Sequence, residues 1–189
     1  MTVLYLPHRI PRPDAVRLFQ RRRFLNLFGL LRPRPVKTST DGRPDSLELV
    51  WMPAYAIRLA LSLGEKRSDT WVSVDASFGG FALFERTEIL ESGCLDEEQF
   101  PVILDLEAAD MRARQGLLRY FLRRRGSKPL IEDTLESCLF YQPVWVYYYY
   151  RMRKKIDLAV LDAYTGSPMG TQMRVAIVNA LIEKRREIR

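Results

Sequence analysis

The chain has one histidine, His8, two cysteines, Cys94 and Cys138, and no long apolar run. Each scarcity removes a class of chemistry. With a single imidazole in the arm "LPHRIPRP", a Ser-His-Asp or Cys-His centre has little to work with, and so does a His-rich zinc site. His8 therefore reads as a loop residue. The cysteines are far apart and make no Cys-x-x-Cys, so two buried thiols in a reducing compartment are expected. The segments "SFGGF" and "TGSPMG" lack the glycine spacing of phosphate-binding and dinucleotide-binding loops. The longest apolar stretches, 24–31 and 144–150, fall well short of the roughly 20 residues that span a bilayer. Pro7, Pro11 and Pro13 break any apolar core of a secretory signal, and a cytoplasmic location is expected. No cofactor and no metal site is expected.

What is abundant is charge, placed unevenly. The formal net charge is +7. Residues 1–40 carry nine Lys/Arg (Arg9, Arg12, Arg17, Arg21, Arg22, Arg23, Arg32, Arg34 and Lys37) against one acid, Asp14. That segment accounts for the whole positive excess. A cationic stretch over residues 9–37 suits nucleic acid or an anionic membrane surface, and equally a solvated helix face. Its candidate anion-binding residues are Arg17, Arg21, Arg22, Arg23, Arg32 and Arg34.

Periodicity divides the rest. "TVLYL" suits a short strand. From Asp14, which can cap a first turn, Val16, Phe19, Leu27, Phe28 and Leu31 recur at helical spacing until "RPRP" ends the helix. In "LELVWMPAYAIRLALSL", Tyr55, Ile57, Leu59 and Leu61 alternate with small or polar residues, the period-two pattern of a strand with one large apolar face. "GEKRSD" turns the chain and "TWVSVDASFGG" returns it. "FALFERTEIL" is undecided between strand and short helix, and "FPVILDL" reads as strand. A helix follows with Ala109, Ala113, Leu117, Tyr120 and Phe121 on one face. "ESCLFYQPVWVYYYY" is a long strand, "RMRKKI" its turn and "IDLAVLDAYTG" its return. A closing helix places Met173, Ala176, Ile177, Ala180 and Leu181 together.

The second half repeats the order of the first. Pro53-Ala54-Tyr55-Ala56 matches Pro143-Val144-Trp145-Val146, and Asp75-Ala76 through Gly79 matches Asp162-Ala163 through Gly166. The expected fold is α+β: two duplicated αββ-type units, 1–99 and 100–189, sharing one core about a pseudo-twofold axis, with helices on one face of an antiparallel sheet. In this register Trp145, Tyr147 and Tyr149 lie on the core face. Val146, Tyr148 and Tyr150 lie on the other, a sticky surface if left open. With Arg153, Lys154 and Lys155 at the hairpin tip, Tyr148 and Tyr150 form a candidate site for a protein partner or self-association. The cations also read as a turn kept soluble.

Carboxylates are the remaining route to catalysis. Asp105, Glu107 and Asp110 fit the start of a helix, where acids stabilise the positive dipole end. Asp75 and Asp162 would be symmetry mates, able to form a carboxylate pair. Asp-x-x-x-Gly is also turn chemistry, with the aspartate accepting backbone N–H bonds and glycine taking positive φ.

The segment "YQPVWVYYYYRMRKKIDLAVLDAYTG" resembles the hairpin of PepSY-type modules, small αββ units whose second strand leads into a D-x-x-T-G turn; here that is Asp162, Thr165 and Gly166. In the first unit Phe78 stands where the threonine would be. The resemblance implies a non-catalytic, often duplicated module that binds or regulates partners such as proteases. The expected function is thus a non-enzymatic binding or scaffold protein. The alternatives are an anion binder acting through the cationic segment and a carboxylate enzyme using Asp75 and Asp162.

Overall fold

A computed structural model describes residues 2–20, 34–35, 47–84, 87–96, 98–125, 128–151 and 155–187. The elements in order are β1 (Val3–Tyr5), α1 (Arg12–Gln20), β2 (Arg34–Pro35), β3 (Leu47–Leu63), β4 (Lys66–Asp75) and β5 (Phe81–Leu83). After a 3-10 turn at Thr87–Ile89 come β6 (Glu91–Gly93), β7 (Glu98–Gln99), α2 (Leu106–Arg123), β8 (Leu130–Arg151), β9 (Lys155–Asp162) and α3 (Thr171–Glu187). The fold is α+β with a mostly antiparallel sheet ordered β5-β4-β3-β8-β1-β6, and β9 pairs along β8. The chain divides into two compact units that interleave in sequence. Unit one is Met1–Leu6 with Met52–Gln142; unit two is Pro7–Trp51 with Pro143–Arg189. These are not the segments 1–99 and 100–189.

Unit one is built on the hairpin of β3 and β4, in register from Ala54↔Asp75 to Leu63↔Lys66. Gly64, at φ 61°, makes the reversal. Ile57, Leu59 and Leu61 meet Val72 and Val74 and the Ala109-Ala113-Leu117 stripe of α2, all buried. Burying each large side chain stabilises by about 1.5–3 kcal/mol. Ile57, Leu59 and Leu61 form the large apolar face expected from the alternation, and the alternate face is closed as well, since Ala54 and Ala56 are buried. Small residues let α2 approach closely, and a Cβ at Gly116 would collide with the Phe81 ring. The Asp105 side chain accepts from Ala108 N at 2.8 Å, capping the helix. Asp110 is not a dipole acid alone: Arg114 Nε donates to it at 2.7 Å, and Arg114 Nη2 donates to Thr134 Oγ1 at 2.8 Å on β8.

The stretch Phe100–Leu106 is not a strand. Ile103 N and Leu104 N both donate to Ala76 O, at 3.0 and 2.7 Å, so a turn carbonyl takes the donors that a neighbouring strand would have taken.

Unit two repeats the scheme with different chain segments. β8 and β9 pair from Val144↔Asp162 to Arg151↔Lys155. Trp145, Tyr147 and Leu161 form a buried cluster with Ala15 of α1, Leu47 and Ala163, and Ile10, Val16 and Phe19 pack against it. Phe19 stacks on Tyr147 with ring centroids 5.1 Å apart. Helix α1 begins at Arg12, two residues before the expected Asp14 cap. Asp14 sits in the first turn and pairs with Arg17 at 3.3 Å. Met173 and Ile177 of α3 are buried, and its Arg174 pairs with Asp157 of β9.

Trp145 Nε1–H donates to Ile10 O at 2.8 Å. Trp145→Phe keeps the ring burial and removes the donor. It is expected to cost about 2 kcal/mol by urea unfolding. An unchanged midpoint would mean that water replaces the bond at no cost.

Each helix therefore covers the hairpin that does not follow it. Helix α1 precedes β3 and β4 yet packs on Trp145, Tyr147 and Leu161, whereas α2 packs on Ile57, Leu59 and Val72. The reason lies in β3, whose 17 residues, a span of about 55 Å, leave unit two at Trp51 and enter unit one at Met52.

Candidate functional site

The two aspartate turns have matching bonds. Asp75 Oδ1 accepts from Ser77 N (2.8 Å) and Phe78 N (3.0 Å), while Asp162 Oδ1 accepts from Tyr164 N (2.7 Å) and Thr165 N (3.2 Å). Gly79 N donates to Asp75 O at 2.9 Å with φ 76°, and Gly166 N to Asp162 O at 2.8 Å with φ 73°. Ala76 N donates to Pro53 O and Ala163 N to Pro143 O. Ala163 O also accepts two N–H groups, from Arg9 and Ile10, as Ala76 O does from Ile103 and Leu104. In each unit this pair of hydrogen bonds fixes the segment that enters the covering helix.

Each aspartate is thus committed to its own turn, the geometry a β-turn needs and not that of a free carboxylate. Asp75 is buried. Burial pushes its carboxyl up to about 6, against the backbone N–H bonds of Phe78 and Ser77, which favour the charged form. Asp162 is half-buried. Among the described residues no group of three or more His, Cys, Asp or Glu could hold a metal ion.

The aromatic hairpin differs from the expected open surface. Val146 is fully buried, as are its cross-strand partner Val160 and the neighbouring Leu158, so this face of β8 and β9 is closed there. Tyr148 is half-buried and its hydroxyl donates to Glu48 Oε2 at 3.0 Å. The backbone of Tyr150 pairs with Arg34 of β2 and that of Lys155 with Arg151; the side chains of Tyr150, Arg34 and Lys155 lie outside the description. Arg153 and Lys154 lie outside the described residues, as do Arg21, Arg22, Arg23 and Arg32. Arg17 is exposed and engaged with Asp14. His8 is an exposed loop residue. Cys94 is exposed and Cys138 half-buried, so the expected pair of buried thiols is not found.

A different surface stands out in unit one. Opposite its buried alanine stripe, α2 carries Met111, Leu118 and Leu122, exposed by 56%, 49% and 54%. Spacings of seven and four put them in a line along the helix. One position on from each is an exposed arginine: Arg112, Arg119 and Arg123. On the other flank, Asp110 and Arg114 neutralise each other. The helix ends at Arg124, whose N–H donates to Phe121 O and whose guanidinium lies 4.4 Å from the centre of the Tyr120 ring. A helix needs only one apolar stripe to fold onto a sheet, and this one has two. The second is legible in the sequence as Met111-x6-Leu118-x3-Leu122, although the first stripe alone accounts for the helix.

No family model, no curated protein and no solved structure matches the chain. Among the described residues no helix is long and apolar enough to cross a membrane.

Proposed function

We propose that the chain is a non-enzymatic binding or scaffold protein that docks a partner on the outer face of α2. The observation that carries this reading is the line Met111-Leu118-Leu122, three large apolar side chains about half exposed on a well-capped helix whose opposite face already holds the core. The committed aspartate turns support a binding role over a carboxylate enzyme. We further propose that the chain is an internally duplicated, PepSY-like module of the cytoplasm. Support for duplication comes from the paired turns, which agree bond for bond, and support for a reducing compartment from two free cysteines.

The test is peptide display against the full chain, comparing wild type with Leu118→Glu after confirming that both melt alike. Selected peptides should bind the wild type and lose at least about tenfold in affinity to the variant. Failure to select any peptide, combined with salt-steep binding of a DNA oligomer or anionic vesicles, would overturn the reading in favour of the cationic segment 9–37.

A further inference from the structure

We infer that the partner docked on α2 is an amphipathic helix with acidic residues along one edge of its apolar seam. The inference rests on the reading of α2 as the docking face and adds the chemistry of what docks.

The spacing of the outer face is that of a short coiled-coil seam. Met111 and Leu118 stand seven apart, at one heptad position, and Gln115 and Leu122 fall at the alternate seam position. Gln115 is exposed, as are Met111 and Leu118. Met111, Gln115, Leu118 and Leu122 thus make a line of alternating three- and four-residue steps, the pattern that packs against another helix. The 18 residues of α2, about 27 Å long, offer a straight surface of that length.

Charge decides which helix fits. Arg112 and Arg119 are seven apart and border the seam on one side, at the position whose side chains pair across a helix-helix interface. Arg123 extends the row by one turn. None of the three has an ion-pair partner among the described residues, whereas Arg114 on the other flank is held by Asp110 and Thr134. Among the described residues the one-sided row is therefore uncompensated, and an incoming helix supplies the missing acids on one edge. A second copy of this chain is a poor occupant. An antiparallel pairing of two α2 helices would set the Arg112 and Arg119 rows against each other. A lipid surface is disfavoured by the exposed acid Glu107, which borders the same seam on the other side.

The experiment uses the full chain and a displayed library of helical peptides. Each carries leucine at four seam positions spaced three and four apart, with both flanks drawn from Glu, Gln and Lys. Wild type should enrich Glu over Lys on one flank by about tenfold, with the preference shrinking as salt rises. Arg112→Glu combined with Arg119→Glu should reverse the preference to Lys, while Leu118→Glu should abolish selection. These residues are exposed, so equal melting temperatures keep the comparison clean. If seam peptides are selected without regard to flank charge and are still lost with Leu118→Glu, the acidic-helix inference falls and the docking face stands. If no peptide is selected, both fall. Binding of phosphatidylserine vesicles that needs Leu118, without any peptide preference, overturns the inference in favour of lipid.

Discussion

Replacing Asp75 with asparagine should remove a loss of stability that wild type suffers between pH 4 and pH 6. The Asp75 carboxyl titrates near 6 in the folded protein against an ordinary 3.8, because burial penalises its charged form. The folded chain thus holds this proton more tightly than the unfolded chain. Its contribution is fully present below about pH 4 and is lost as pH rises through about 6. A gap of roughly two pKa units corresponds to about 3 kcal/mol. Asparagine keeps an Oδ1 acceptor for Ser77 N and Phe78 N and has no charge to desolvate. The stability of Asp75→Asn relative to wild type should therefore increase by about 3 kcal/mol from pH 4 to pH 7.5, read from urea midpoints at both values. A difference that does not change with pH would mean that the carboxyl is solvated in the folded protein. Asp75→Ala is a control for the turn itself: it lacks both the charge and the acceptor, and should run about 1–2 kcal/mol below Asp75→Asn at every pH.

Gly116→Ala should destabilise the protein by about 2 kcal/mol, the opposite of what helix propensity predicts. In an exposed helix interior the change would stabilise by about 1 kcal/mol. Here the new methyl meets Cγ and Cδ2 of Phe81 and comes within 2.8 Å of the Phe81 Cβ, an atom that no rotamer change can move away. Overpacking of this kind costs about 1–3 kcal/mol. The cause can be isolated with a double-mutant cycle. In a Phe81→Gly background both the ring and the Cβ are gone, so the alanine at 116 has room and its cost should fall to near zero or become a gain. A stabilising Gly116→Ala in the wild type would show that α2 does not press on β5.

Local patterns are legible in the sequence where the interaction partners are close in the chain. The bounds of β3, the reversal near Gly64 and the return along β4 follow from period-two alternation and one glycine. Both aspartate turns follow from a carboxylate two and three residues before the N–H groups it accepts. The capping role of Asp105 and the buried stripe of α2 are legible for the same reason.

Other readings failed for physical reasons. "FPVILDL" has the composition of a strand, but its Ile103 and Leu104 donors were claimed by Ala76 O, a partner more than twenty residues back. The alternation in β8 predicts an open face at Val146, yet Val146 is buried on it, because burial on the second face depends on what else packs there. The candidate site suffered most. Tyr148 reads in the sequence as part of an open partner site, and the structure gives its hydroxyl to Glu48, a hundred residues away. The exposed line on α2 consists of ordinary apolar residues until the helix is seen to bury its opposite side.

The sequence by itself determined the α+β class, the two hairpins and the two matched turns, since each depends on interactions spanning a few residues. Tertiary structure alone decided which helix covers which hairpin. The αββ order suggests that α1 covers β3 and β4, but Ile10 receives its bond from Trp145 and Phe19 stacks on Tyr147. A long strand separates α1 from the hairpin that follows it, and both hairpins present similar apolar faces. Periodicity specifies that a face must be buried; only the course of the whole chain decides by what.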